Sequence, residues 1–261
     1  MSILIVTGTG TDVGKTVVTA AVAALAAARG GGVAVVKPAQ TGVAEGEPGD
    51  LAAVARLAGV GDVHEYARYP DPLSPAAAAR ISGLPPLSLD QVAADVRKLA
   101  RDRALVLVEG AGGLLVRYDE DGATLADLAR ELGAPALVVA DPRLGTLNHT
   151  ALTLESMALR GVELAGVVLG SWPFRGAAEM ADAADADSDG AAAAADAGPD
   201  LAMRCNLRDL ETLAARPLAG AVPTGAGRLE PAEFLLAARA GLAPSLGGVF
   251  DAARFRAEWG V

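Results

Sequence analysis

Apolar residues fall along the chain in two alternating patterns. Runs that are apolar at nearly every position occupy 3–7, 33–37, 105–109, 136–140, 164–169 and 218–222. They show little in–out alternation, as strands covered on both faces do. Between them, helical patterns cover 17–29, 51–57, 76–81, 89–100, 125–132 and 147–159, and later 210–215 and 232–240. Strand alternating with helix predicts right-handed crossovers and an α/β fold, an open, mainly parallel sheet flanked by helices. Ligands of such sheets bind beyond the carboxyl ends of the strands, so chemistry is to be sought there.

One stretch breaks the pattern. Positions 181–200 hold ten Ala, six Asp and no basic residue. Alanine favours helix, but no apolar face is available to dock one, so a solvated low-complexity insert is expected. The rest shows no repeat and no linker, and 261 residues can bury one large core. One domain spanning 1–261 is predicted.

Composition narrows the function classes. The net charge is −10, from 22 basic and 32 acidic residues. A nucleic-acid binder would need to neutralise phosphates with cations, so that class is disfavoured. Of the 22 basic residues 19 are Arg, and Lys occurs only at 15, 37 and 98. In a chain that uses Arg by default, each compact ammonium raises the question of its role. Cys205 is alone, and His64 and His149 are far apart, which leaves no intrachain disulfide, no CxxC site and no His-rich metal cluster. The N-terminus MSILIVTGTG lacks a basic n-region, and the uncharged stretch 16–28 is too short to span a bilayer. A cytoplasmic protein without membrane partners is expected.

The first strand runs into GTGTDVGKT at 8–16 and then into a helix. A glycine-rich turn feeding a helix start gathers unpaired backbone N–H groups around an anion. Lys15 adds charge for terminal phosphates, and the Thr16 hydroxyl can ligate Mg2+. The loop is one residue longer than G-x4-GK[ST], because Gly8 stands six before Gly14. A dinucleotide fingerprint would need its third glycine at Val13 and an acid where Lys37 stands. An ordinary glycine turn would not need GKT after it. Nucleotide binding is the reading that uses all of these residues.

Other strand ends carry further candidates. Lys37 opens KPAQTG at 37–42, beside the phosphate loop by topology, and reads either as a second phosphate-site cation or as a surface lysine. Glu109 ends LVLVE, where phosphate-loop enzymes hold an acid for a divalent cation; the alternative is an exposed turn acid. Gly110, Gly112 and Gly113 would let backbone approach a ligand closely. Asp50 starts a helix and reads by itself as an N-cap. Lys98 lies in the polar segment RKLAR and reads as a solvated face.

Five blocks together resemble the dethiobiotin synthetases, ATP-dependent carboxylases of biotin synthesis. They are TGTGTDVGKT at 7–16, KPAQTG at 37–42, VEGAGG at 108–113, RLGTLNHTALT at 143–153 and LAGVVLGSWP at 164–173; LAGAVP at 218–223 aligns beyond them. The resemblance implies the phosphate-loop NTPase fold, Mg2+ as cofactor, and ATP as co-substrate. Its other implied partners are 7,8-diaminononanoate, CO2 or bicarbonate, and a second copy of the chain, with the substrate site at the homodimer interface. A carbamate formed on one amine would attack the γ-phosphate, and the second amine would close the ureido ring.

Carried over by position, the resemblance makes Thr16, Asp50 and Glu109 the Mg2+ ligands and raises Asp50 above a plain cap. Asp12, Val13, Gly14, Lys15, Thr16 and Val17 become the triphosphate cradle, with Lys15 and Lys37 as the catalytic cations. Gly110, Ala111 and Gly112 adjoin the nucleotide, and Ala111 and Gly112 line the substrate site with Thr41. Pro72 and Leu73 add an apolar wall. From the partner subunit, Leu144, Leu147 and Asn148 would present a helix start to the substrate carboxylate, leaving His149 structural. Gly170 and Ser171 stand where many members have an Asn that reads adenine, which weakens base selectivity. Val222, Pro223 and Thr224 would border the base.

Two other classes compete. Partition-type ATPases carry an extra lysine early in the loop, where this chain has Gly10, and no basic or amphipathic tail for DNA or membrane is present. Cobyrinate-type amidating synthetases pair with a Cys-dependent glutaminase, whereas Cys205 has no paired His in sight.

Overall fold

The structure, a computed structural model, describes residues 3–174 and 198–261. Positions 181–197 of the expected acidic insert lie outside the described residues. Among those described, the strands are β1 (Ile3–Gly8), β2 (Val33–Thr41), β3 (Val63–Tyr69), β4 (Leu105–Gly113), β5 (Ala136–Ala140), β6 (Leu164–Trp172) and β7 (Gly220–Pro223). The α-helices are α1 (Lys15–Ala28), α2 (Asp50–Ala58), α3 (Pro75–Ser82), α4 (Leu89–Asp102), α5 (Leu125–Leu132), α6 (Thr146–Leu159), α7 (Leu201–Ala214), α8 (Pro231–Gly241) and α9 (Ala252–Trp259).

All strands are parallel, in the order β3-β2-β4-β1-β5-β6-β7. The absence of alternation in the apolar runs has a direct cause: successive side chains serve opposite, equally buried faces. In β1, Leu4 and Val6 join the layer of α1, α2 and α8, whereas Ile5 joins the layer of α3 to α7 and α9. The order also sets β1, with its phosphate loop, between β4 and β5, so Glu109 of β4 emerges next to the loop.

Two elements depart from the sequence expectation outright. β3 was not expected; it reads VHEYARY, sits at the sheet edge and is half-exposed at every position but Tyr69. An edge strand tolerates charged side chains that a central strand excludes. α9 was also not expected, because only Phe255 and Trp259 supply an apolar stripe; Asp251 starts it by accepting the Ala253 and Arg254 amides. α7 begins at Leu201 rather than 210, capped by Asp200 on the Met203 amide at 2.8 Å. Several strands run further than their apolar runs. β2 continues past Pro38 to Thr41 along β3 after leaving β4 at Val36, so proline meets only one ladder there. Lys37 is therefore inside a strand, not just past its end. Among the described residues no helix is long and apolar enough to cross a membrane.

Candidate active site

Between β1 and α1 the backbone turns through two left-handed residues, Asp12 at φ 57° and Gly14 at φ 93°. Gly14 takes the N-cap place of α1 and supplies no side-chain cap. The first amides of α1 are left to an outside acceptor, the arrangement that favours a phosphate. Lys15 is buried and its ammonium turns back to donate to the Gly10 carbonyl at 2.8 Å. Burial, aided by the nearby Lys37 charge, pushes the Lys15 pKa below the usual lysine range.

Lys37 joins the predicted carboxylates. Its ammonium donates to Glu109 Oε1 at 2.8 Å and to the Gly110 carbonyl at 3.2 Å, and lies 2.5 Å from Asp50 Oδ2. Burial alone would lower the Lys37 pKa, but the Glu109 and Asp50 carboxylates outweigh it and hold the ammonium above its ordinary value. The surface-lysine alternative is thereby excluded, and Glu109, fully buried, is no exposed turn acid. Asp50 is the first residue of α2 rather than its cap, which is Gly49. Its amide donates to Gln40 Oε1 at 2.8 Å, which frees its carboxylate for Lys37. Lys98 is on the surface, paired with Asp95 at 2.8 Å.

Thr16 Oγ1 donates to Glu109 Oε1 at 2.9 Å, while Glu109 Oε2 is buried with no hydrogen-bond partner among the described residues. Two carboxylates and a hydroxyl thus converge from three elements, with one carboxylate oxygen unspent. That donor set fits Mg2+, a hard ion that keeps waters and takes phosphate oxygens beside one or two carboxylates. No group of three or more His, Cys, Asp or Glu side chains that could hold a metal occurs among the described residues.

A cleft of about 370 Å3 joins these groups. Of the predicted residues, Asp12, Gly14, Lys15, Thr16, Val17, Lys37, Thr41, Asp50, Glu109, Ala111 and Gly112 line it. Thr11, Ala39 and Gln40 line it too and were missed; the blocks TGTGTDVGKT and KPAQTG that hold them are the signals that could have found them. Tyr118, also missed, is fully buried and its hydroxyl accepts the Ala111 amide at 2.8 Å. Nothing in its sequence neighbourhood marks it.

The remaining predicted residues stand elsewhere. Gly110 is bare for packing: a Cβ there would come 2.4 Å from Leu125 Cδ2. Val13 is buried under the loop. Pro72 rests on Gly42, just beyond Thr41, and Leu73 is exposed beside it. Leu144 and Asn148 at the start of α6 are exposed, and Leu147 is partly packed against the core. Gly170 and Ser171 lie inside β6, and Ser171 Oγ meets Thr224 Oγ1 at 2.8 Å. Val222 is in the core, and Pro223 borders a second cavity of about 440 Å3 with Phe174, Phe250, Phe255 and Trp259.

Known proteins share both fold and sequence with this chain. The AAA domain family AAA_26 matches residues 2–227. A protein named ATP-dependent dethiobiotin synthetase BioD from Parafrankia sp. (strain EAN1pec) is 62% identical over 261 residues, covering 100% of both chains. The protein of the same name from Saccharopolyspora erythraea is 58% identical over 95% of this chain and 98% of its own, and that of Streptomyces coelicolor is 53% identical over 98% of each. Among solved structures, the cell division ATPase MinD of Pyrococcus furiosus superimposes with a TM-score of 0.54 at 18% identity, over 95% of this chain and 97% of that one. At that identity the likeness concerns the fold alone.

Proposed function

The chain belongs to the ATP-dependent dethiobiotin synthetase family, ligases of biotin biosynthesis that use ATP as co-substrate, and from that membership we propose that it converts 7,8-diaminononanoate and CO2 to dethiobiotin. One amine adds to CO2 and loses a proton, giving a carbamate. A carbamate oxygen then attacks the γ-phosphorus, ADP leaves, and a carbamic-phosphoric anhydride results. The second amine attacks its carbonyl carbon, phosphate departs, and the ureido ring is closed.

The observation that carries this reading is the pair of buried ammonium groups on Lys15 and Lys37, set around Thr16, Asp50 and Glu109 at an uncapped helix start. A carbamate anion must approach a triphosphate, and each like-charge pair at 4 Å costs about 4 kcal/mol at an effective dielectric near 20. Lys15 and Lys37 offset that repulsion, and the amides after Gly14 hold the β- and γ-phosphates. Thr16, Asp50 and Glu109 would hold Mg2+, which neutralises phosphate charge. Catalysis then rests on positioning and electrostatics, with no histidine base required.

Thr41, Ala111 and Gly112 hold the diamine end of the substrate, with Pro72 and Leu73 along its aliphatic chain. The carboxylate end is taken by Leu144, Leu147 and Asn148 of a second copy, across a homodimer interface. The exposure of Leu152 (55%) and Leu159 (85%), two turns apart on one face of α6, supports that interface, since neighbouring exposed apolar residues mark contact surfaces. Ser171, Val222, Pro223 and Thr224 border the base through backbone, which relaxes base choice. In the test, diamine and bicarbonate together stimulate phosphate release from ATP; turnover indifferent to that pair, in protein that binds nucleotide, contradicts the reading.

A further inference from the structure

Gly170 touches the phosphate loop in a way that concerns the loop's position and not the base. It sits in β6 where the pairing with β7 shifts register, between Leu169 and Trp172. A Cβ built on Gly170 would lie 1.8 Å from the Val13 carbonyl oxygen and 2.7 Å from Val139 Cγ1. Reciprocally, a Cβ on Gly14 would lie 2.6 Å from the Gly170 carbonyl oxygen. Two bare backbones are therefore pressed together, and neither position admits a side chain as the loop stands. On the far side, a Cβ on Gly8 would meet Val13 Cγ2 at 2.7 Å. The Val13 side chain thus abuts β1, and the Val13–Gly14 peptide abuts β6. Immediately past the Gly170 contact, the Thr224 amide donates to the Trp172 carbonyl at 2.9 Å, and Ser171 and Thr224 share a hydroxyl contact. These tie β6 to β7.

We infer that Gly170 is a positioning residue: its bare backbone latches the Val13–Gly14 peptide so that the amides opening α1 point at the phosphates. Because real Cβ atoms essentially never come within 3.0 Å of a non-bonded atom, any side chain at 170 requires the Val13 carbonyl and β6 to part by more than an ångström. A misplacement of about an ångström at a reacting constellation can cost about a hundredfold in rate, and a loss of up to that size is expected where the misplaced groups are the phosphate-binding amides. The inference rests on the phosphate-loop reading above but not on the identity of the carboxylated substrate.

Tripolyphosphate, which has no base, separates a latch from a base contact. Binding of tripolyphosphate and of Mg·ATP is measured by calorimetry on the wild-type chain and on Gly170→Ala. A latch predicts that both ligands weaken by the same factor, between about tenfold and a hundredfold. ATP weakened with tripolyphosphate unchanged assigns Gly170 to the base and overturns the inference, as does unchanged binding of both. Should Gly170→Ala fail to fold, hydrogen exchange on the wild-type chain decides. Tripolyphosphate then slows exchange in peptides covering both 10–18 and 168–173 if the latch exists, and in 10–18 alone if it does not. Neither readout requires turnover of the diamine, so an error in the assigned product leaves the test standing.

Discussion

Lys37 Nζ lies 2.8 Å from Glu109 Oε1, and neither side chain meets solvent to any useful extent. A buried ion pair of this kind contributes less to folding than its geometry suggests, because both charges have left water. Losing one member is worse than losing both, since the other is left uncompensated. Lys37→Ala is therefore expected to destabilise the protein by about 3–5 kcal/mol by denaturant unfolding, and Lys37→Met with Glu109→Leu to recover much of that. Both variants should lose diamine-dependent turnover, whereas Lys37→Ala keeps nucleotide affinity within about a few fold, since the loop amides carry most of the phosphate binding. Full turnover in Lys37→Ala refutes the role given to its ammonium.

Tyr118 supports the cleft from below through the Ala111 amide. Tyr118→Phe leaves that buried N–H without its acceptor, at a cost of about 1–3 kcal/mol. With Ala111 on the substrate side of the cleft, as proposed, the KM for the diamine should rise while tripolyphosphate affinity stays constant. Equal loss at both ligands would show a general collapse of the site instead.

How much of this was legible in the sequence depended on whether a residue's role is local. The phosphate loop is contiguous, so GTGTDVGKT announced it, and Glu109 was readable from its place at the end of an apolar run. Asp50 was readable as a helix start but not as Lys37's partner, since that contact joins β2 to α2 across the sheet end. Gln40 was legible only through the block KPAQTG, and Tyr118 acts through a tertiary hydrogen bond that leaves no periodic or compositional trace. The edge strand β3 escaped because His64, Glu65 and Arg68 occupy a surface where burial does not select apolar side chains. In α9 the eight residues carry too few apolar positions for a helical stripe to stand out.

Helix α5 offers a pH-dependent check away from the site. Burial would raise the Asp127 pKa, but hydrogen bonds from the Thr124 hydroxyl at 2.6 Å and amide at 3.0 Å outweigh it and hold the carboxyl below its usual range. A carboxyl depressed in the folded state stabilises above its unfolded pKa, and that contribution is lost as pH falls through the folded value. Asp127→Ala is expected to cost about 1 kcal/mol at pH 7, at the lower end of capping effects because the carboxylate is partly solvated. The difference from wild type should shrink below about pH 4. A difference independent of pH would contradict the assignment.

On α6, Leu152 and Leu159 stand two turns apart on one exposed face. Leu152→Glu with Leu159→Glu should convert a dimer to a monomer in light scattering and abolish turnover, while tripolyphosphate binding is kept. A wild-type chain that is monomeric at micromolar concentration removes the shared substrate site from the account.

Ring closure on a carboxylated diamine yields a product whose mass can be measured. Protein incubated with 7,8-diaminononanoate, 13C-bicarbonate, Mg2+ and ATP should form dethiobiotin carrying a single 13C, with one ADP and one phosphate released per product. ATP consumed without labelled dethiobiotin would contradict it.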